Sequence, residues 1–380
     1  MRAKAPKTAM VNDLCDAMER IAPTWAAADW DNVGLLVGDR TWPARRVLIS
    51  IDMTSAVLDE AACGKFDVVL AYHPPIFLSV KRLLPDRTTQ DGLAAEALAR
   101  RIAVYSPHTA LDAAPGGTND TLATLAGLTG LVPFEAVAEP RPTCKLATFV
   151  PDSHVDRVAA ALFAAGAGHI GDYEQCSFRL RGEGTFFGKE ATRPAIGRKG
   201  RLERVAETRL EVVFPEHLLS DVTTALRQIH PYDEPAFDVY PLRDLPNGQT
   251  GQGRIGRFTK PVTLTALARS LARKTGASNL SIVGRPGGRL RRGMVCVGAA
   301  GSLPFEIPGH QCQAGDVILT GEIRHHDALR YQRCGAAAIA LGHWASERPV
   351  LKPLAARLRR ELPTISTAVS RKDRDPFKRP

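Results

Sequence analysis

Imidazole and carboxylate side chains stand directly behind a short apolar segment in the first third of the chain. His108 and Asp112 follow the apolar run 102–105, which must end at Ser106-Pro107 because proline cannot donate a backbone hydrogen bond to a sheet. An imidazole and a carboxylate in one turn are suitable ligands for a borderline or hard divalent ion. They are also typical of a hydrogen-bonded loop pair. Taken alone, this stretch leaves a metal site and a structural turn both open.

Similar groups follow three other apolar segments of strand length. They are His73 after residues 67–72, His325 and His326 after residues 317–320, and His343 with Glu347 after residues 336–341. Open α/β sheets bind ligands at the carboxyl ends of their strands. We expect all four strand ends to meet at one edge of one sheet, where their side chains would hold one or two divalent ions. Such ions polarise phosphoryl and carbonyl oxygens and activate water, which is the chemistry of a hydrolase.

Composition narrows the class of protein. A length of 380 residues predicts more than one domain, and 44% apolar with 24% charged residues is typical of a globular protein. No apolar run is long enough to span a membrane, and the N-terminus lacks a secretory signal, so we expect a cytoplasmic protein without a membrane partner. Seven cysteines without CxxC spacing indicate reduced thiols. The net charge of +10 favours small anionic partners such as nucleotides.

The order of elements predicts the fold class. Strand and helix patterns alternate at both ends of the chain, which indicates α/β architecture with mixed, largely parallel sheets. A proline-rich break at residues 137–142 precedes a β-α-β-β-α-β pattern, the order of a ferredoxin-like α+β module. We therefore predict an α/β domain in two parts, residues 1–143 and 248–367, interrupted by an insertion at residues 144–247. A basic, solvated tail is predicted at residues 368–380.

Five motifs together resemble the NGG-interacting-factor-three-like family. They are WDNVGLLVG (30–38), YHPPIF (72–77), HTALDAAPGGTND (108–120), GEIRHHDA (321–328) and GHWASE (342–347). Members of this family are often named GTP cyclohydrolase type two homologues and are described as toroidal hexamers with a dinuclear metal centre. The middle segment, which includes HPYDEPAFDVYPL (230–242), resembles the CutA-like or PII-like insertion of longer members.

The resemblance implies a set of metal ligands and the metals that suit them. The implied ligands are His73, Asp112, His343 and Glu347, with Asp112 or Glu347 bridging two ions of zinc, iron or manganese. Many bacterial members carry two adjacent histidines, and the first of these positions is Tyr72 here. Because the unperturbed pKa of tyrosine is about 10, its side chain is a poor ligand at neutral pH. We therefore predict one tightly and one weakly bound ion, with His108 or water completing the weaker position.

Three functional hypotheses follow. The first is a metal-dependent hydrolase that acts on a nucleotide or another phosphorylated small molecule and is GTP cyclohydrolase-like by resemblance. In this hypothesis the candidate catalytic groups are His108, His325 and His326, which would transfer protons or support the metal ligands. The second is a non-enzymatic metal-binding ring, likewise a homo-hexamer, whose insertion binds a metabolite or a partner. The third is a basic ring that binds nucleic acid.

Overall fold

Short apolar runs alternate with amphipathic segments, and the computed structural model of the protein shows them as strands and helices. It describes residues 8–192, 194–246, 248–307 and 309–378. Residues 1–7 of the predicted first part, residues 193 and 247 of the predicted insertion, residue 308 of the predicted second part and the last two residues of the predicted tail lie outside the described residues. None of the described helices is both long and apolar enough to cross a membrane.

The strands and helices are numbered in chain order. The strands are β1 (Gly34–Val37), β2 (Arg46–Ser50), β3 (Val68–Ala71), β4 (Ala103–Ser106), β5 (Leu128–Val132), β6 (Thr143–Pro151), β7 (Phe178–Phe187), β8 (Leu202–Pro215), β9 (Phe237–Leu242), β10 (Arg254–Thr263), β11 (Ser281–Val283), β12 (Arg289–Val295), β13 (Asp316–Thr320), β14 (Ala337–Ala340) and β15 (Ser366–Val369). The helices are α1 (Val11–Ile21), α2 (Ser55–Cys63), α3 (Gln90–Ala99), α4 (His108–Ala113), α5 (Thr118–Ala126), α6 (Val155–Ala164), α7 (Leu219–Ile229), α8 (Leu264–Thr275), α9 (Leu303–Glu306), α10 (His325–Arg333), α11 (His343–Glu347) and α12 (Leu351–Glu361).

Two compact units divide the chain. The core unit contains the described residues up to Ala138 and from Pro246 onward, and the inserted unit is Glu139–Leu245. The core unit has two mixed sheets, and each is covered by helices on both faces.

The first sheet of the core unit has the order β1-β4-β3-β2-β15. Its strands are parallel except β1, which runs antiparallel to β4. Alternate residues of a strand point to opposite faces: Val68 and Leu70 pack on the side of α1 and α12, and Val69 packs on the side of α2 and α3. All four residues of β3 are therefore buried, which is typical of a parallel strand covered on both faces.

The second sheet of the core unit has the order β11-β14-β13-β12-β10-β5. Strands β12, β13 and β14 are parallel, and the strands outside them are antiparallel. Because β3 and β4 belong to the first sheet and β13 and β14 to the second, the prediction that four strand ends share one edge of one sheet is wrong. The alternating pattern predicts where strands lie along the chain, but it does not predict which strands pair.

Strands β5 and β10 are antiparallel neighbours at one edge of the second sheet, with Ile255 opposite Val132. Backbone hydrogen bonds continue beyond the strands, from the Phe134 amide to the Gln252 carbonyl at 3.0 Å. The two chain segments that lead to and from the inserted unit therefore leave the core unit side by side.

The start of the predicted basic tail belongs to the core unit. Residues 368 and 369 are part of β15, which pairs with β2. Asp373 is 1% exposed and accepts hydrogen bonds from the Trp344 indole at 3.0 Å and the Ile51 amide at 3.2 Å. These bonds compensate the burial of a carboxylate, so the chain stays packed to this point rather than ending as a solvated tail.

The inserted unit has one antiparallel sheet with the order β7-β8-β6-β9 and the predicted β-α-β-β-α-β order of elements. Leu146 and Leu210 of the sheet pack against Val158 of α6 and Leu226 of α7. Both α6 and α7 pack on this face of the sheet, and the other face carries the alternate residues of the same strands.

Candidate metal centre

The carboxyl ends of β3 and β14 bring two imidazoles to one carboxylate. His73 follows β3, and α11, which follows β14, presents His343 and Glu347 four residues apart on one helix face. His73 Nε2 lies 3.2 Å from Glu347 Oε2, and His343 Nε2 lies 3.2 Å from Glu347 Oε1. The ligand atoms of all three residues lie within 4.8 Å of one another. Two ligands that bind one zinc ion at tetrahedral geometry are separated by about 3.4 Å, so these spacings suit a shared ion.

The surroundings of Glu347 fit a bound cation. Its side chain is 3% exposed, and Oε2 is buried without a hydrogen bond of good geometry to the described residues. An uncompensated buried carboxylate oxygen is costly unless a cation meets it. Gly298, in the left-handed region at φ +62°, passes directly beside the cluster: a Cβ there would lie 2.8 Å from Glu347 Oε1 and 3.4 Å from His343 Nε2. Glycine thus keeps the space next to the ligand atoms open.

Carboxylates hold the far side of both imidazole rings. Asp52 Oδ1 lies 2.9 Å from His73 Nδ1, and Glu322 Oε1 lies 3.3 Å from His343 Nδ1. Metal-binding histidines usually bond a carboxylate or carbonyl through the second ring nitrogen, which fixes the ring and exposes the lone pair of the first. In this site both Nε2 atoms therefore face Glu347.

The same contacts shift the pKa values of the cluster. Burial disfavours the protonated form of His73, but Asp52 and Glu347 outweigh burial and raise its pKa to about 10. Glu347 likewise raises the pKa of His343, against burial and the nearby His73. Burial favours the neutral form of Glu347, and the two imidazoles nevertheless hold the pKa of its carboxyl below the ordinary value. These shifts all favour a positive charge next to the Glu347 carboxylate, carried either by the imidazoles or by a bound ion.

Asp112 lies beside this cluster and is bonded to the residue before His73. Tyr72, which is 0% exposed, donates its hydroxyl hydrogen to Asp112 Oδ1 at 2.5 Å. Burial raises the pKa of Asp112 to about 6 despite this hydrogen bond. Burial and the charges of Asp112 and Glu347 also raise the pKa of Tyr72 well above its ordinary value. The Tyr72 hydroxyl is therefore a neutral donor that engages one oxygen of Asp112.

His108 is positioned by a carboxylate of its own. At the first residue of α4, its Nδ1 lies 2.8 Å from Asp31 Oδ1, and its ring centroid lies 5.3 Å from that of His73. Thr109 donates both its amide and its hydroxyl hydrogen to Asp31 Oδ2. Burial opposes ionisation of Asp31, but the bonds from His108 and Thr109 lower its pKa to about 2. Asp31 is thus an anion that fixes the His108 ring through Nδ1.

His325 and His326 have a different environment. They are exposed at the start of α10, and their ring centroids lie 5.5 Å apart. Among the described residues the three-residue ligand cluster is formed by His73, His343 and Glu347, and neither of these two histidines belongs to it.

Several residues that shape the centre carry only weak signals in the sequence. The motif that contains Asp31 indicates a turn. Gly298 indicates a tight connection between a strand and a helix, and Asp52 marks only the end of a strand. The useful signal is positional: β2 pairs with β3, so the residues just beyond their carboxyl ends, Asp52 and His73, are neighbours. That signal requires the strand order, which the sequence alone does not provide.

Comparisons with known proteins agree with this architecture. The family model described as Duf34/NIF3 (NGG1p interacting factor 3) matches residues 9–376. A Mycobacterium tuberculosis protein named GTP cyclohydrolase 1 type 2 homolog is 37% identical over 345 residues, which cover 89% of this chain and 88% of the relative. A Bacillus subtilis protein of the same name is 33% identical over 362 residues, covering 94% of this chain and 95% of the relative.

A solved structure extends the similarity to three dimensions. The crystal structure of a Bacillus cereus protein related to NIF3 matches with a TM-score of 0.67 and 30% identity, covering 98% of this chain and 100% of that protein. The match covers both the core unit and the inserted unit.

Proposed function

Because the chain belongs to the DUF34/NIF3 family, we propose that it is a metal-dependent hydrolase that acts on a nucleotide or another phosphorylated small molecule. One observation carries the proposal: the buried Glu347 carboxylate lies 3.2 Å from two imidazole nitrogens, and one of its oxygens lacks a well-aligned protein donor. Such a cluster suits a cation better than it suits a folded core.

His73, His343 and Glu347 would hold the tightly bound ion. Imidazole and carboxylate ligands suit zinc, iron and manganese. A bound ion would supply Lewis acidity toward water and toward a phosphoryl or carbonyl oxygen. Asp52 and Glu322 orient the imidazoles, and Gly298 leaves room beside them.

Asp112 and Tyr72 govern a second position in this proposal. The Asp112 oxygen that accepts the Tyr72 hydrogen bond is less available as a ligand than a free carboxylate oxygen. A second ion at Asp112 would therefore be bound weakly, and His108 or water would complete the set of ligands.

His108 is the proposed proton-transfer group. Since Asp31 engages Nδ1 and stays ionised, Nε2 can accept a proton on the side of the cluster and release it again. His325 and His326 remain candidate proton-transfer groups that would act from the solvent-exposed start of α10.

The proposed substrate is anionic. The net charge of +10 favours the approach of phosphorylated molecules, and the name of the relatives makes GTP the first nucleotide to test. Imidazole groups near a metal centre stabilise the charge of a phosphoryl group as it reacts.

The test is turnover by the full-length, metal-loaded protein on nucleoside triphosphates, including GTP, and on simple phosphoesters. We expect Glu347→Gln to lower turnover at least 100-fold together with metal content. Glu361→Gln is the matched control, because Glu361 is an exposed carboxylate paired with Arg20 on the surface, and it should leave both unchanged. Turnover that persists in Glu347→Gln after the metal is removed would contradict the proposal.

The two alternative functions predict different results. Tight metal binding without turnover of any compound supports a non-enzymatic ring protein, and salt-dependent binding of single-stranded DNA that survives metal removal supports a nucleic-acid-binding ring. We also propose a homo-hexamer, which light scattering before and after chelation tests. The seven free cysteines support a cytoplasmic location, and the element order of the inserted unit supports its CutA-like or PII-like character.

A further inference from the structure

The inserted unit contains a cavity of about 750 Å³ on the face of its sheet that the helices leave uncovered. One row of its floor runs across three strands. Arg209 of β8 lies between Phe149 of β6 and Leu180 of β7, which are its partners in the sheet. Glu207 and Gly182 form the next row. The volume lies in the range of small-molecule sites, about 300–1,000 Å³.

Apolar side chains contribute to the walls as well as to the floor. Phe186 stands at the end of β7, and Ile196 reaches the cavity from the connection between β7 and β8. The segment after α7 closes another side with Tyr232. Flat apolar surfaces on several sides favour a ring-shaped ligand, which buries both of its faces.

Carboxylates outnumber guanidinium groups in the lining of the cavity, with Glu183, Glu207, Asp233 and Glu234 against Arg181 and Arg209. On the floor, Arg209 donates from its Nε to Glu211 Oε1 at 2.8 Å, and Lys145 Nζ donates to the other oxygen of that glutamate at 3.0 Å. At the rim, Glu183 is paired with Arg204 at 2.6 Å.

Glu207 differs from these carboxylates because its partner is a neutral hydroxyl. Tyr232 donates to Glu207 Oε1 at 2.7 Å, and burial together with this carboxylate raises the pKa of the tyrosine, so it stays a neutral donor. Glu207 therefore presents a negative charge on an apolar floor, where a cationic group of a ligand would gain a charge-assisted hydrogen bond.

We propose that this cavity binds an organic amine with an aromatic or alicyclic ring, whose ring packs on Phe149 and Leu180 and whose ammonium group pairs with Glu207. A nucleotide is disfavoured because carboxylates outnumber guanidinium groups in the lining of the cavity. The site is independent of the proposed metal centre, and it assigns a cationic ligand to a unit that lacks any of the candidate metal ligands.

The chain offers a substitution that fills the cavity without straining the backbone. A Cβ added at Gly182 meets no atom within 4 Å, and Gly182 does not have a left-handed φ. Gly182→Leu should therefore occupy the floor while the sheet is kept. The neighbouring Gly184 does not offer this, because a Cβ there would lie 2.0 Å from Glu207 Oε2.

The experiment uses calorimetric titration of the full-length protein with 1-naphthylmethylamine and with 1-naphthoate, two molecules of similar shape and opposite charge. We expect the amine to bind at least tenfold more tightly than the acid. Glu207→Gln should weaken the amine at least tenfold, Glu183→Gln should change it less than threefold, and Gly182→Leu should abolish binding with an unchanged melting temperature. The metal content of all three variants should equal that of the wild type.

Each other result overturns the proposal. Equal or tighter binding of the acid, binding that survives Gly182→Leu, or binding of neither molecule would show that the cavity is not an amine site. If light scattering instead shows that Gly182→Leu lowers the mass of the assembly, a second copy of the chain occupies this face.

Discussion

Binding of a divalent ion to the His73, His343 and Glu347 cluster should release protons. The pKa of His73 in the ion-free protein is about 10, so at pH 8 about 99% of this imidazole is protonated. An ion that binds Nε2 must displace that proton. We therefore expect about one proton per ion from His73 at pH 8, and a further fraction from His343, whose pKa is also raised.

The same pKa sets the pH dependence of affinity. Between pH 10 and pH 7 the fraction of neutral His73 falls about 500-fold, so proton competition weakens the apparent affinity of the ion by about the same factor, or ~4 kcal/mol. Calorimetric titration with Mn²⁺ at pH 8 in two buffers of different ionisation enthalpy measures the number of protons released. The affinity at pH 7, 8 and 9 measures the slope.

A matched pair of variants shows whether the released proton comes from His73 or from a general loss of carboxylate charge. Asp52→Asn removes the charged partner of His73 Nδ1, so the imidazole pKa falls and fewer protons are released at pH 8. Asp59→Asn changes an exposed carboxylate that pairs with Arg87 and should behave like the wild type. Binding that releases no proton at pH 8 in the wild type would refute the reasoning.

The stability of the ion-free protein should depend on pH through the protonation of His73. The folded-state pKa of His73 is raised from 6.5 to about 10, so its stabilising contribution is complete below pH 6.5 and is lost as the pH rises through 10. We expect the ion-free protein to lose stability through His73 from pH 7 to 9, while the ion-loaded protein gains from tighter binding. Denaturant unfolding with and without a chelator measures both trends.

Three further substitutions test other contacts. Gly298→Ala places a Cβ 2.8 Å from Glu347 Oε1 at a left-handed φ. Metal analysis should show at least tenfold weaker binding, and denaturant unfolding should show a loss of stability of about 1 kcal/mol. Unchanged metal binding would contradict the crowding argument. Arg254→Met leaves Asp120 without its 2.6 Å partner and should cost about 3–5 kcal/mol in urea unfolding; a loss below 1 kcal/mol would contradict it. Tyr72→His should convert one retained equivalent of metal into two after exhaustive dialysis, and two tight equivalents in the wild type would refute the weak second position.

Local elements of the core unit could be predicted from the sequence. Buried runs such as β3 and β14, and the imidazoles that follow them, are visible because a strand covered on both faces reads as continuous apolar residues. The i, i+4 spacing of His343 and Glu347 likewise identifies one helix face. These features depend only on residues close together in the chain.

The pairing of strands could not be predicted in the same way. The division into two sheets depends on which edges meet, and a pattern of buried residues carries no such information. Asp52 supports His73 only because β2 lies next to β3. Gly298 lies against Glu347 only because β12 and β14 flank β13 in one sheet. The supporting residues of the centre therefore become recognisable only with the strand order.

The antiparallel pairing of β5 with β10 gives the inserted unit the position of a hairpin loop. Its two ends leave the core unit on adjacent strands, joined by backbone hydrogen bonds as far as Val137 and Thr250. Any module whose termini lie close together can occupy such a position, because loop-closure entropy changes only slowly with length. The core unit and the inserted unit can therefore change at different rates during evolution, so that one metal-binding scaffold can carry different ligand-binding modules, or a short turn, without re-registering its sheet.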